Sequence, residues 1–233
     1  MRIGGFQKFS LSDFPGAISA VLFSQGCTFR CPYCHNPELV DESLYQATQD
    51  ADDILRFLYH RAKQLQGIVL TGGEPTMQDD LEEFARALKA MGYKVKLDTN
   101  GTNPRLLERL VASGLLDYIA MDVKAPLASY SRVVCAEVRT EDVSSSIKLV
   151  RDSGISHEMR TTFVEGLLTM DEMRGLAELV KGCQKYVLQG FAPSKTLDPG
   201  YRSLKAPPAE RLIEIRNELA RSGVPCYLRE CFT

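Results

Sequence analysis

Residues 17–36 read Ala17-Ile18-Ser19-Ala20-Val21-Leu22-Phe23-Ser24-Gln25-Gly26-Cys27-Thr28-Phe29-Arg30-Cys31-Pro32-Tyr33-Cys34-His35-Asn36. Ala17 to Phe23 is a short β-rich run, and it leads directly into a loop that holds three cysteines. The same order of apolar run, then polar loop, recurs along the chain. Further strand-like runs are Gly67 to Thr71, Tyr93 to Asp98, Leu116 to Asp122, Ser156 to Val164, Lys185 to Gln189 and Val224 to Leu228. Helical periodicity separates them. Ile54, Leu55, Leu58, Ala62 and Leu65 lie on one face of one stretch, and Leu81, Phe84, Ala85, Leu88 and Met91 on one face of the next. Thr48 through Asp50 and Asn103-Pro104 supply helix starts. Strand, helix, strand repeated about six times predicts parallel strands joined by right-handed crossovers. A doubly wound open sheet and a barrel both satisfy this α/β pattern, and both put the chemistry in loops after the strands' C-terminal ends.

The chain has 233 residues, 44% of them hydrophobic and 25% charged, a composition of ordinary globular proteins that excludes fibrous and disordered classes. That length suits one domain over residues 1–233, and no low-complexity linker divides it. No apolar run approaches the roughly 18 residues of a membrane span, and the first residues lack a signal-peptide core. With a formal net charge of −2, nothing indicates a nucleic-acid-coating surface. Seven cysteines without a secretory signal indicate a reducing, cytoplasmic setting, where clustered thiols read as metal ligands. Pro193 to Pro208 reads as a long exposed loop.

Cys27, Cys31 and Cys34 are spaced so that one loop can wrap a soft metal centre with three thiolates. Zinc competes, because His35 would complete a Cys₃His set, although ligation by adjacent Cys34 and His35 is awkward. An iron–sulfur cluster with three protein ligands leaves one iron open, which is how metal sites bind substrate.

The run CxxxCxxC with an aromatic residue before its last cysteine resembles the signature of radical S-adenosylmethionine (SAM) enzymes. Thr71-Gly72-Gly73-Glu74-Pro75 matches their GGEP element. Leu97-Asp98-Thr99-Asn100-Gly101, Ala120-Met121-Asp122-Val123-Lys124, Ser12-Asp13-Phe14-Pro15-Gly16 and Cys34-His35-Asn36-Pro37 resemble activating proteins of anaerobic ribonucleoside-triphosphate reductase over nearly the whole chain. This resemblance implies a partial parallel (β/α)6 barrel, with the cysteine loop, Gly72 to Pro75, Asp98 and Asp122 expected at its C-terminal mouth. It implies a [4Fe-4S] cluster on Cys27, Cys31 and Cys34, with SAM chelating the fourth iron. One electron then cleaves SAM to methionine and a 5′-deoxyadenosyl radical, which takes a hydrogen atom from a glycine of a partner enzyme. A low-potential donor such as flavodoxin or ferredoxin supplies that electron.

The resemblance also implies roles around the cluster. The Gly72-Gly73 backbone and Glu74 would receive the methionyl amino group, while Tyr33, His35 and Asn36 flank the adenine. Lys124 and Arg160 would reach the SAM carboxylate and ribose. Asp98, Thr99, Asp122 and a carbonyl near Ala120 would hold a monovalent cation; alternatively, Lys124 alone neutralises the two aspartates. Some relatives carry a histidine after the sixth strand, whereas Leu188-Gln189-Gly190-Phe191-Ala192-Pro193 has none, making Gln189 the expected substitute. Asp13 to Gly16 resembles the element that meets the target's glycine loop, and as a plain Pro-Gly sequence it also reads as a β-turn. Cys135 and Cys183 read as core residues or bystanders, and Cys226 with Cys231 is too small a set for a second cluster. The competing functions are a radical SAM enzyme for a small molecule, such as a deazapurine-pathway rearrangement, and a non-catalytic zinc module.

Overall fold

The computed structural model describes residues 1–229. Eight strands form one sheet in strictly sequential order: β1 (Ile3–Ser10), β2 (Ser19–Ser24), β3 (Gly67–Gly72), β4 (Lys94–Thr99), β5 (Tyr118–Asp122), β6 (Ser156–Phe163), β7 (Tyr186–Gly190) and β8 (Cys226–Arg229). From β2 to β8 every pairing is parallel, and only β1 runs antiparallel, to β2. A doubly wound sheet would reverse its strand order near the middle. The sequential order with helical crossovers is that of a barrel, and with no pairing between β1 and β8 among the described residues, the barrel is open.

Eight helices accompany the strands: α1 (Pro37–Val40), α2 (Ala51–Arg61), α3 (Leu81–Ala90), α4 (Pro104–Ala112), α5 (Tyr130–Val134), α6 (Thr140–Asp152), α7 (Met170–Val180) and α8 (Ala209–Arg221). Of these, α2, α3, α4, α6, α7 and α8 make the six crossovers of a (β/α)6 barrel. Two of the starts expected from sequence cap as their chemistry dictates. The Asp50 carboxylate accepts from the Asp52 and Asp53 N–H groups, and the Asn103 side chain accepts from the Leu106 N–H ahead of Pro104 at the first turn. None of these helices is long and apolar enough to cross a membrane.

Period-2 alternation gives each strand two faces. Ala20, Leu22, Ile68, Leu70, Val95 and Leu97 pack outward under the helices in the main apolar core. Val21 and Val69 point into the barrel, and join Phe14 there. Tyr118 also faces inward, with its ring 6.2 Å from Phe14 and its hydroxyl donating to Glu158 at 3.2 Å.

Two findings depart from the sequence reading. β1 is an additional strand. Ile3-Gly4-Gly5-Phe6-Gln7-Lys8-Phe9-Ser10 holds two glycines and little β-branched character, so its strand signal is weak. It persists as an edge strand by pairing with β2 and by setting Phe6 edge-on to Phe57 of α2, centroids 5.4 Å apart. The second concerns Asp13 to Gly16. The Ala17 N–H donates to the Phe14 carbonyl at 3.1 Å and Gly16 has φ of 73°, which makes Phe14–Ala17 a type II turn with proline and glycine in their preferred places. Because β1 is antiparallel to β2, this turn lies at the N-terminal end of the barrel, opposite the cysteine loop. Phe14 plugs that floor so closely that a Cβ on Gly67 would meet its ring at 2.6 Å. The segment is a floor plug, not part of the mouth.

Candidate active site

The loops after β2, β3, β4 and β5 and the C-terminal ends of β6 and β7 converge on one cavity of about 260 Å³. Its lining joins Cys27, Cys31 and Cys34 to Tyr33, His35, Asn36, Gly72, Gly73, Glu74, Asp98, Thr99, Asp122, Lys124, Arg160 and Gln189. Every site residue expected from sequence therefore lies at the same end of the barrel. Parallel register accounts for this, since Ser24 pairs with Gly72, Asp122 with Arg160, and Thr162 with Gln189.

The cysteine loop is fixed by its backbone. Gly26 N–H donates to the Leu39 carbonyl at 2.8 Å and Cys34 N–H to the Cys31 carbonyl at 3.0 Å. The Cys27 sulfur accepts from the Phe29 N–H at 3.4 Å and from Asn100 Nδ2 at 3.9 Å. Burial pushes the Cys27 thiol up to about 12 and the Cys31 thiol to about 11, and raises Cys34 as well. The three thiols of this loop, Cys31 buried and Cys27 and Cys34 half-buried, become thiolates when a cationic centre displaces their protons.

The neighbouring loop comes as close as two backbones allow. A Cβ on Gly73 would lie 2.0 Å from the Gly26 carbonyl oxygen, and one on Gly72, whose φ is 119°, 2.3 Å from the Ser24 nitrogen. These glycines therefore keep the cysteine loop and the Gly-Gly turn in contact along the cavity edge.

His35 does not complete a zinc set. Its Nε2 lies 2.9 Å from the Ala192 carbonyl, to which only a protonated ring nitrogen can donate, and its ring stacks on Phe191 with centroids 5.9 Å apart and planes at 10°. The residues after β7 thus grip the cysteine loop. Asp198 N–H donates to the Pro32 carbonyl at 2.9 Å, and Lys195 pairs with Glu38 at 2.7 Å. Pro193 to Pro208, expected to be an exposed loop, is in part a clasp over the metal loop, with Thr196 fully buried.

Glu74 is likewise used differently from expectation. It is fully buried, and its Oε1 accepts from Thr76 N–H at 3.0 Å, Thr76 Oγ1 at 2.6 Å and Thr99 Oγ1 at 2.7 Å, while Oε2 accepts from Asn100 N–H at 2.6 Å. Burial raises its pKa against the pull of these four donors. With both oxygens engaged, its carboxylate ties the loop after β3 to the loop after β4, leaving the glycine backbone as the polar edge.

Asp98, Thr99 and Asp122, the expected cation set, line the same cavity, and each already has side-chain partners within the chain. The Thr99 hydroxyl turns to Glu74, and Arg160 lies between the two aspartates. Its Nε donates to Asp122 Oδ1 at 2.7 Å and its Nη1 to Asp98 Oδ2 at 3.0 Å. Lys124 Nζ adds a bond to Asp122 Oδ2 at 2.9 Å, and Lys96, 2% exposed, pairs with Asp98. Burial alone would raise both carboxyls, but Arg160 first, then Lys96 at Asp98 and Lys124 at Asp122, outweighs it and holds them below the usual carboxylate range. Lys124 alone is therefore not the counter-charge; three side-chain cations share that task.

Sequence reading missed Lys96, Asn100 and the interior set around Glu158, which bonds Arg229 at 2.8 Å and Tyr118. The signal for Lys96 was its spacing of two from Asp98, which sets both on one strand face. Cys183 packs in the apolar core, Cys226 packs against it, and Cys135 is exposed; none lines the cavity. Cys231 lies outside the described residues.

The residue set fits an iron–sulfur cluster, because a soft three-thiol loop stands beside a cavity edged by backbone polar groups and floored by cations. Comparison with known proteins agrees. Residues 21–180 match the Radical SAM superfamily, and the chain belongs to that superfamily and, within it, to the glycyl-radical enzyme activating enzymes. The second assignment follows from MJ1227 of Methanocaldococcus jannaschii, a protein assigned by name to those activating enzymes. It is 34% identical over 219 residues, covering 91% of this chain and 89% of the relative. The pyruvate formate-lyase-activating enzyme of Clostridium pasteurianum is 26% identical, covering 98% and 97%. Among solved structures, SuiB of Streptococcus suis bound to S-adenosylmethionine matches in fold, with a TM-score of 0.68 at 16% identity over 91% of this chain. This chain spans 50% of that structure's length. The family implies the [4Fe-4S] cluster and SAM as cofactors.

Proposed function

We propose that the chain installs a glycyl radical on an anaerobic ribonucleoside-triphosphate reductase, with its electron drawn from a low-potential flavodoxin or ferredoxin. A protein substrate is supported by the relatives, which are activating enzymes of glycyl-radical enzymes, and by the open barrel, through whose mouth the hydrogen donor approaches. A glycine on a flexible loop meets that demand, because it brings no side chain. The reductase as target is supported by the similarity of the motifs around Cys34, Asp98 and Asp122 to its activating proteins.

When bound, the cluster and SAM supply one-electron cleavage of a carbon–sulfur bond and the hydrogen-abstracting radical. The chain's own residues bind and orient. Cys27, Cys31 and Cys34 hold the metal centre, and the Gly72-Gly73 backbone offers acceptors to the methionyl amino group. Lys124 and Arg160 present positive charge to the carboxylate, with Arg160 kept in place by Asp98 and Asp122. Gln189 and Asn36 edge the same cavity and are assigned to the adenosine.

The experiment is anaerobic mixing of the reduced protein with SAM and the reductase, read by EPR. The expected result is a doublet that collapses when the target glycine is deuterated, with 5′-deoxyadenosine produced in step. A signal only with pyruvate formate-lyase would overturn the choice of target. Production of 5′-deoxyadenosine only with a small deazapurine precursor would replace the activating reading with the small-molecule one.

A further inference from the structure

We propose that the Asn100 side-chain amide donates a hydrogen bond to the Cys27 thiolate of the bound cluster and thereby raises the cluster's reduction potential. This rests on the cluster being held by Cys27, Cys31 and Cys34. The contact is already present in the chain: Asn100 Nδ2 lies 3.9 Å from the Cys27 sulfur and 3.0 Å from Thr28 Oγ1. The oxygen and nitrogen of an amide exchange places by a half turn, so the donor has to be assigned from its neighbours. Here the neighbours leave one choice. The Thr102 N–H can only donate, and it lies 3.1 Å from Asn100 Oδ1, while the Thr102 hydroxyl donates to the same oxygen at 2.8 Å. Nδ2 therefore faces the cysteine loop.

The amide is also held from behind. Asn100 is 5% exposed and lines the cavity, and its backbone N–H donates to Glu74 Oε2 at 2.6 Å. A donor on the loop after β4 is thus fixed, through Glu74 of the loop after β3, against a metal-binding cysteine of the loop after β2. A thiol sulfur is a weak acceptor, whereas a thiolate makes the bond charge-assisted and roughly twice as strong. The electron that starts the reaction adds negative charge to the cluster. A donor aimed at a ligand sulfur stabilises that reduced state more than the oxidised one, and the potential shifts upward. Asn100 is a positioning residue in this scheme, because it acts on the metal only through Cys27.

Three variants test this against wild type. Asn100→Asp keeps the shape of the side chain and an oxygen for the Thr102 N–H, but has no N–H to offer Cys27. Asn100→Ala removes the amide altogether. Thr28→Val removes the amide's other partner, which is exposed and replaceable by water, and leaves the Cys27 contact alone. Iron and sulfide content and the midpoint potential by EPR-monitored redox titration are measured without SAM. The expected result is wild-type iron and sulfide in all three. Both Asn100 variants should show a roughly tenfold lower ratio of reduced to oxidised cluster at a fixed potential, a shift of ~59 mV for one electron. Thr28→Val should titrate with wild type. An unchanged midpoint in either Asn100 variant that carries its cluster overturns the proposal. So does an equal shift in Thr28→Val, which would mean that the amide acts by tying the two loops together. Loss of the cluster from both Asn100 variants would make the residue a structural support and overturn it as well. If wild type itself takes up no iron and sulfide, the cluster assignment falls first, and the proposal with it.

Discussion

Replacing Glu74 with glutamine separates a carboxylate that builds the mouth from one that touches SAM. In the wild type the two oxygens face four donors and no acceptor: Thr76 N–H and Oγ1, Thr99 Oγ1 and Asn100 N–H. A glutamine oxygen can keep the first three, but its NH₂ then faces the Asn100 N–H, donor against donor. A hydrogen bond to a charged group contributes about 1.5–3 kcal/mol, and stranding a buried N–H costs about 1–3 kcal/mol. Removing a buried charge offsets part of this, leaving a net loss of about 2 kcal/mol. For a chain of this length each kcal/mol moves Tm by roughly 2–4 °C, so Glu74→Gln should melt about 4–8 °C lower. The assay is thermal unfolding of the cluster-free chain, followed by circular dichroism under reducing anaerobic conditions, alongside SAM binding by the loaded protein. An unchanged Tm with a tenfold loss of SAM affinity would refute the reasoning and return Glu74 to direct contact with the methionyl group.

Three further outcomes are expected. The Asp122 carboxyl is held below its ordinary 3.8 in the folded chain, so its stabilising contribution is complete above 3.8 and is lost as pH falls below that value through the folded one; Asp122→Asn should flatten the acid limb of stability, read as urea midpoints against pH. Phe14→Ala should cost about 3–5 kcal/mol of stability in denaturant titration, by emptying the floor of the barrel, while leaving SAM affinity of the loaded protein unchanged. Cys27→Ala, Cys31→Ala or Cys34→Ala should each lose bound iron and sulfide on reconstitution, whereas Cys226→Ala, which lines no part of the cavity, should retain both.

The seven parallel strands were legible because short β-rich runs alternate with amphipathic helical stretches, most clearly at β2, β3 and β5, where an apolar run ends in a polar motif. The whole mouth followed from that, since the residues placed after strand ends had to meet. What was not legible divides by cause. β1 carries almost no propensity and exists through tertiary pairing. The turn at Pro15-Gly16 was readable as a turn, but its end of the barrel was not, because that depends on the direction of the unseen strand. The use of Glu74 and His35 was hidden for another reason. Motif position shows that a side chain is near the site, whereas its partner, Asn100 for one and Ala192 for the other, comes from a distant loop. The alternative that Lys124 alone neutralises Asp98 and Asp122 counted one cation; Lys96 and the bridging geometry of Arg160 were needed to complete the count.

That count also explains why the barrel interior holds charge where most barrels hold packed apolar layers. Asp98, Asp122 and Glu158 face Lys96, Lys124, Arg160, Lys185 and Arg229, three carboxylates against five cations. A buried ion is costly unless paired, and here every carboxylate has at least two cationic or hydroxyl donors, so the anions are satisfied and the cations are in excess. The excess lies beneath a loop of three thiols that can carry negative charge only when metallated. A cluster held by three thiolates is anionic, and so is the carboxylate of SAM. A floor with surplus positive charge favours both, and it does so from strands, whose positions are fixed by the sheet, and not from mobile loops. The interior ladder gives up apolar packing to hold Arg160 and Lys124 rigidly under the mouth, and the Phe14 plug seals the end where no chemistry is done.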